Sequence, residues 1–560
     1  MRLYIAQPVD VVGGGGEGAG PLGDQFADPR PPFAQRRIRS AFPGHLPPCL
    51  RAGQCPGRGD DVAVIVEPDR WAHEDVAQRH SAGACAGRVF GEVGVDESAG
   101  TPGSGHHPVD HEDFALGHEP TVWHAGDAAS SAPSHREPTV DHVRMRGQCP
   151  RMSAAPPDPF APAVLGPVTL RNRVIKAATS EGRSPQGLVT DDLIEFHRAF
   201  ARGGVGMTTV AYCCVAPEGA SAPGQIVMSA AALPGLRKLT DAVHHDGAAI
   251  SAQLGHAGVV AQKKLTGVTP MAPSRFINPA SMGYCREITR AEIARVIDQF
   301  GAAARVAADA GFDAVELHFG HLYLPSSFLS PLINRRRDEY GGDIDNRSRL
   351  CRQIARRVRD EVGDSIAVTA KLDMDDGVPG SIWVDEALRT AALLDADAVL
   401  DAIELTQGSS VFKPMYLFRG DVPVKEFAQV MPQPMRTGIR FIGKWAMGEY
   451  PYHDLYMLEN ARQFVPLMRN TKLILLGGIT DRGHVETGMR EGFDFVAMGR
   501  ALLREPDLIS RMIADPATRS RCTHNNKCMV TVFGRTHCVL DPGQRYGAAE
   551  ALPANDLALQ

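Results

Sequence analysis

The chain has 560 residues and a formal net charge of -6 with no basic block, so it carries no electrostatic footprint for nucleic acid. No apolar run approaches the roughly 18 residues that suggest a membrane span, and Met1-Arg2-Leu3-Tyr4-Ile5-Ala6 meets Asp10 and glycines before a secretory core is complete. Seven cysteines lie beyond residue 160, an odd number without a framework, which suits reduced thiols and a cytoplasmic location.

Residues 1–155 are crowded with Gly, Pro and His, including the run Gly13 to Gly16 and ten of the twenty histidines. Periodicity is hard to find there, apart from one strand candidate, Val62-Ala63-Val64-Ile65-Val66, which has no evident partner. Burying so little apolar surface does not offset an ordering cost of roughly 1 to 2 kcal/mol per residue, so a low-order extension is expected. A small separate domain and a start assigned too early are the competing readings. The last fits best, because Met152 opens directly onto the first recognisable element. Cys49, Cys55, Cys85 and Cys149 show no CxxC pairing, and no metal site is expected.

From Asn172 onward, short β-branched runs alternate with helical patterns. Strands are expected near 174–178, 207–212, 249–254, 314–318, 366–372, 402–405, 473–476 and 495–498. Strands separated by helices imply parallel pairing, because each crossover returns the chain to the same end of the sheet. The predicted fold is α/β, a closed (β/α)8 TIM barrel over residues 156–545 with a tail at 546–560. After the third strand, Thr289-x-x-Glu292 forms a capping box, and Ile293, Val296, Ile297 and Phe300 repeat on one face until Gly311. An open doubly wound sheet would need a Gly-rich dinucleotide turn after an early strand. Gly203-Gly204-x-Gly206 precedes its strand instead, and reads as a helix stop.

In such a barrel the chemistry gathers at the C-terminal strand ends. Ala178-Thr179-Ser180 follows strand one, Gln253 closes strand three, His318 and His321 close strand four and Lys371 closes strand five. Gly477-Gly478 and Gly499-Arg500 follow strands seven and eight. Glycines let the backbone approach a phosphate, a helix beginning near Asp481 or Ala501 points N–H groups at it, and Arg500 adds a charge-assisted hydrogen bond. Lys371, framed by Ala370 and Leu372 within a strand run, is an unusual interior cation. The run Glu316 to Tyr323 places two imidazoles and a phenol just beyond a short apolar strand. Two N–H donors can hold a carbonyl oxygen that gains charge while a phenol protonates the adjacent carbon. A zinc pair is the competing reading of His-x-x-His, but no carboxylate or cysteine stands nearby in a zinc pattern.

The stretches Glu316-Leu317-His318-Phe319-Gly320-His321-Leu322-Tyr323, Phe328-Leu329-Ser330-Pro331 and Arg337-Asp338-Glu339-Tyr340-Gly341-Gly342 resemble the Old Yellow Enzyme family of FMN-dependent ene-reductases. Asn172 through Glu181, Gln253-Leu254-Gly255-His256-Ala257-Gly258 and Gly477 through Arg500 are similar to that family's barrel opening, flavin-contacting turn and FMN-phosphate segment. The likeness runs from about Pro159 to Pro542 and comes close to the barrel part of 2,4-dienoyl-CoA reductases. It implies FMN as cofactor, NADPH or NADH as hydride donor, and a small unsaturated carbonyl compound as substrate. It also implies roles. Ala178 and Thr179 would face the flavin, Ser180 stands where relatives carry a tuning Thr or Cys, and Gln253 would bond the pyrimidine edge. Lys371 would lie near flavin N1 and O2, while Gly477, Gly478, Gly499 and Arg500 would hold the phosphate. His318 and His321 would bind the carbonyl, and Tyr323 would donate the proton.

The chain departs from that pattern in two places. Leu322 stands where the family usually has Gly, and Pro325 with Ser326-Ser327 replaces a more apolar turn. If residue 322 needs a conformation suited mainly to Gly, the entry of Tyr323 is altered. The tail Cys522-Thr523-His524-Asn525-Asn526-Lys527-Cys528, with Cys538, resembles the iron–sulfur segment of 2,4-dienoyl-CoA reductases and trimethylamine dehydrogenases. Asn525 stands near an expected cysteine and a four-thiolate cluster needs all four, so no cluster is expected. Residues 407–455, rich in aromatics, interrupt the barrel after strand six. They are expected either to cover the site or to bury their rings against outer helices or a second subunit. Flavin-dependent amine oxidation or demethylation, and a flavin-binding protein without turnover, stand as alternatives. The oligomeric state, including a homo-oligomer, is left open.

Overall fold

The computed structural model describes residues 155–431 and 433–541. The extension up to residue 154, with its strand candidate at Val62 to Val66, and the tail at 546–560 lie outside the described residues. Eight parallel strands form the barrel: β1 (Val174–Lys176), β2 (Met207–Cys214), β3 (Ala249–Gly255), β4 (Ala314–Phe319), β5 (Ala367–Asp373), β6 (Ala402–Thr406), β7 (Lys472–Leu476) and β8 (Phe495–Met498). Each pairs with the next in sequence, and β8 pairs with β1 to close the ring. Parallel strands covered by helices are buried on both faces, which is why their sequences read as nearly unbroken apolar runs.

Helices α1 (Asp191–Arg202), α2 (Leu233–His245), α3 (Arg290–Asp309), α4 (Arg349–Val362) and α5 (Val384–Asp397) follow β1 to β5 in turn. Helix α6 (Met435–Met447) lies in the long β6–β7 insertion, α7 (Arg482–Arg490) follows β7, and α8 (Arg500–Arg504) follows β8. The capping box at Thr289 and Glu292 is formed, with Ile293, Val296 and Phe300 fully buried against the barrel. Helix α1 stops at Gly203, and Gly204 takes a positive φ of 98° where a Cβ would meet Ser510. The Gly203-Gly204 pair is therefore the helix stop that its position suggested.

Strand alternation sends every second side chain into the barrel. At the N-terminal end these are small or apolar, Ala314, Ala367, Ala402, Ile474 and Phe495, and the hairpin Ala163–Leu165 with Val168–Leu170 closes the barrel from below. Higher in the barrel the interior turns polar. Gln253, Glu316, Lys371 and Glu404 are each 5% exposed or less. Burying such groups is costly unless they are paired, so this layer marks where the fold gives up apolar packing for chemistry. Among the described residues no helix is long and apolar enough to cross a membrane.

Candidate active site

The C-terminal strand ends open into a cavity of about 430 Å³. Ligand pockets usually run about 300–1,000 Å³, so this one is of ligand-binding size. All twelve residues singled out from the sequence line it: Ala178, Thr179, Ser180, Gln253, His318, His321, Tyr323, Lys371, Gly477, Gly478, Gly499 and Arg500.

His318 leaves the end of β4 with its ring buried and Nδ1 without a hydrogen-bond partner. Its ring centroid lies 5.1 Å from that of His321 and 4.5 Å from that of Tyr323. Burial, then the neighbouring His321 and Lys371, holds His318 well below the usual imidazole range. Burial and Lys371 push His321 down to about 3. Both rings are thus neutral at physiological pH, each with one N–H to donate. Burial raises the Tyr323 phenol above its ordinary value, so it keeps its proton, which points to Ser221 Oγ at 3.3 Å.

His321 is fixed from several sides that its sequence position did not disclose. Its backbone N–H donates to Asp373 Oδ2 at 2.5 Å, its Nε2 lies 3.2 Å from Thr406 Oγ1, and its carbonyl accepts from the Ser410 N–H. His321 and Leu322 both take left-handed backbone angles, with φ of 60° and 59°. The conformation suited to Gly is therefore present, adopted by a leucine whose side chain is buried among Val259, Ala272, Cys285, Ile333 and Val411. Tyr323 still reaches the cavity and begins a short helix, Leu324–Leu329, in which Ser326 Oγ donates to the Gly320 carbonyl. The hydroxyls of the altered turn thus find backbone partners.

The loop Ala178 to Ser180 is held from beneath by Lys176, whose Nζ donates to Thr179 Oγ1 at 3.0 Å and to Glu181 Oε1 at 3.2 Å. Lys371 is the interior cation that its position suggested, and it is paired. Its ammonium contacts Glu404 and stands 3.3 Å from Glu316, and Gln253 Nε2 donates to Glu316 at 2.7 Å. A lone carboxylate inside each of two short apolar strands, Ala314–Phe319 and Ala402–Thr406, was the sequence signal for this layer.

At the other end of the cavity, Gly477 and Gly478 take positive φ values of 100° and 72°, and a Cβ on Gly499 would project into open space. At the start of α7, Asp481 caps the helix by accepting from the His484 N–H. The start of α8, at Gly499, carries no side-chain acceptor. Arg500 donates to the Arg419 carbonyl at 2.9 Å and to the Asn526 side chain, which joins the cradle to the cysteine-bearing tail. An open backbone cradle beside an arginine fits a phosphate.

The insertion after β6 supplies rings to the cavity wall. Phe418 lines the cavity, with Phe427, Tyr452 and Tyr456 beside it, and Tyr452 stacks on His524. Phe412 packs on Phe276 and Tyr450 on Tyr416, whereas Phe441 and Trp445 on α6 stand 85% and 75% exposed.

Residues 158–410 match the NADH:flavin oxidoreductase / NADH oxidase family. The chain is 49% identical to a 4,4'-dithiodibutanoate disulfide reductase of Rhodococcus erythropolis, over 70% of this chain and 96% of that protein. The chain belongs to this family. It is also 32% identical to a metal reductase of Desulforamulus reducens over 67% of this chain, but spans only 52% of that longer protein. An Old Yellow Enzyme homologue from Zymomonas mobilis superposes with a TM-score of 0.54 at 21% identity, over 70% of this chain and all of that one. At that identity the likeness speaks to the barrel alone. As a member of the NADH:flavin oxidoreductase family, the chain is an FMN-dependent oxidoreductase that uses NAD(P)H. The cavity fits that cofactor, with a phosphate cradle at one end and buried polar side chains beneath the other.

Proposed function

We propose that this enzyme transfers hydride from NADPH or NADH, through FMN, to the activated C=C of an α,β-unsaturated carbonyl compound. The reading is carried by the convergence of His318, His321 and Tyr323 on one wall of the cavity. FMN, held along Ala178, Thr179, Ser180, Gln253 and Lys371 with its phosphate at Gly477, Gly478, Gly499 and Arg500, supplies the hydride. His318 and His321 each donate an N–H to the substrate carbonyl oxygen and stabilise the charge that grows there. Because both rings are neutral, they polarise the carbonyl without surrendering a proton to it. Tyr323, still protonated at neutral pH, gives its proton to the α-carbon. Leu417, Phe418 and Phe427 keep water from the apolar part of the acceptor.

Likeness to the disulfide reductase over 96% of its length supports a second reading, with an S–S bond as the acceptor. Hydride breaks that bond into a thiol and a thiolate, and Tyr323 protonates the thiolate, so one disulfide yields two thiols. Stopped-flow separates the two. Enzyme reduced anaerobically with NAD(P)H is mixed with cyclohexenone or with 4,4'-dithiodibutanoate, and flavin reoxidation is followed. Faster reoxidation by the enone supports the first reading, reoxidation by the disulfide alone selects the second, and reoxidation by neither sinks both.

A further inference from the structure

Lys371 lines the cavity, and two carboxylates share its single charge. Glu316 has a second partner in Gln253, whereas no donor group among the described residues meets the buried Oε2 of Glu404, and its carboxyl lies within reach of Glu316. On its β7 side Glu404 faces Ile474, which offers no compensation. The other charged or titratable groups around this layer include Lys176 on β1, which lies within electrostatic reach of Glu316, His318 on β4 and His321 just beyond it, both within reach of Lys371, and Asp373 on β5. One ammonium between two carboxylates leaves a surplus negative charge in a buried layer, and protein interiors remove such a charge by protonation. Burial pushes the Glu404 carboxyl up to about 7, against the pull of Lys371 and with Glu316 adding to the rise.

We propose that Glu404 is a redox-linked proton carrier, binding one proton when the cofactor held against Lys371 accepts a hydride and releasing it when the hydride departs. This rests on the reading above that sets FMN against Lys371. The hydride brings two electrons and one proton, so the cofactor becomes one unit more negative. Lys371 turns its charge toward the new anion, and Glu404, deprived of its counter-ion, takes a proton from solvent. One O–H bond forms on Glu404 as one breaks on a solvent hydronium ion. On delivery to substrate the O–H bond breaks again, while the α-carbon proton still comes from Tyr323.

Spectroelectrochemical titration of the FMN-loaded protein between about pH 6 and 9 tests this. For a two-electron couple, one accompanying proton lowers the potential by about 30 mV per pH unit and two protons lower it by about 59 mV. Wild type is expected to show the two-proton slope just above neutral pH, and Glu404→Gln the one-proton slope throughout. A second measurement needs no variant: the reduced-minus-oxidised infrared spectrum of wild type should gain a protonated-carboxyl band. A one-proton slope in FMN-bound wild type, absence of the carboxyl band, or a two-proton slope that persists in Glu404→Gln overturns the role of Glu404. A wild-type chain that holds no FMN overturns instead the reading on which it rests, and the proposal with it.

Discussion

Tyr323 offers a clean separation of labour, because reduction of the cofactor by NAD(P)H requires no proton from its phenol. Tyr323→Phe is therefore expected to slow flavin reoxidation by an enone by about a hundred- to ten-thousand-fold, the usual contribution of a positioned acid, while the reductive half-reaction barely changes. Equal reoxidation rates in variant and wild type would hand the proton to solvent or another group. His318 and His321 act on a different atom of the same substrate. Replacing either with Ala should cost about a hundred- to a thousand-fold in enone reduction, the scale of one lost oxyanion donor, with FMN content intact. The same variants should weaken the coloured complex with phenolate ligands, and unchanged phenol affinity in both would place the carbonyl elsewhere.

At the scale of elements, the turn between β4 and the helix Leu324–Leu329 sets two opposed energies against each other. A left-handed conformation costs an ordinary residue about 1–2 kcal/mol, whereas burying a leucine side chain gains about 1.5–3 kcal/mol. Leu322 is fully buried, so packing wins. Leu322→Gly, though it restores the residue best suited to the backbone, should lower stability by about 1 kcal/mol in denaturant titration, and a stabilised variant would show that strain dominates. The strands themselves were legible, each within two residues of its observed bounds, because runs such as those of β4 and β5 are apolar, short and separated by periodic helices. The stop at Gly203 and the capping box at Thr289 were legible for the same reason, being local chemistry. What the sequence concealed depends on register. Lys371 faces Glu404 because β5 and β6 pair at that level, and Thr406 meets His321 across two strands.

Across the whole molecule, every barrel strand finds both neighbours between residues 174 and 498, and the hairpin that closes the bottom begins at Ala163. A chain started at Met152 is thus expected to be soluble, yellow and as active as the full-length protein, with loss of flavin or solubility on truncation as the contrary result. The β6–β7 insertion has a wider consequence. It leaves the barrel at Thr406, which touches His321, and returns where the Leu455 N–H bonds the Gly478 carbonyl beside the phosphate cradle. Its two ends are anchored to the parts that hold substrate and cofactor, while its middle contributes walls and, at Arg419, a carbonyl that holds Arg500. Apart from that backbone contact the segment behaves as an exchangeable cassette: side-chain drift between residues 411 and 450 can redraw which molecules are admitted and leave hydride and proton delivery untouched. Acceptor range in this lineage can therefore evolve without reopening the chemistry beneath it.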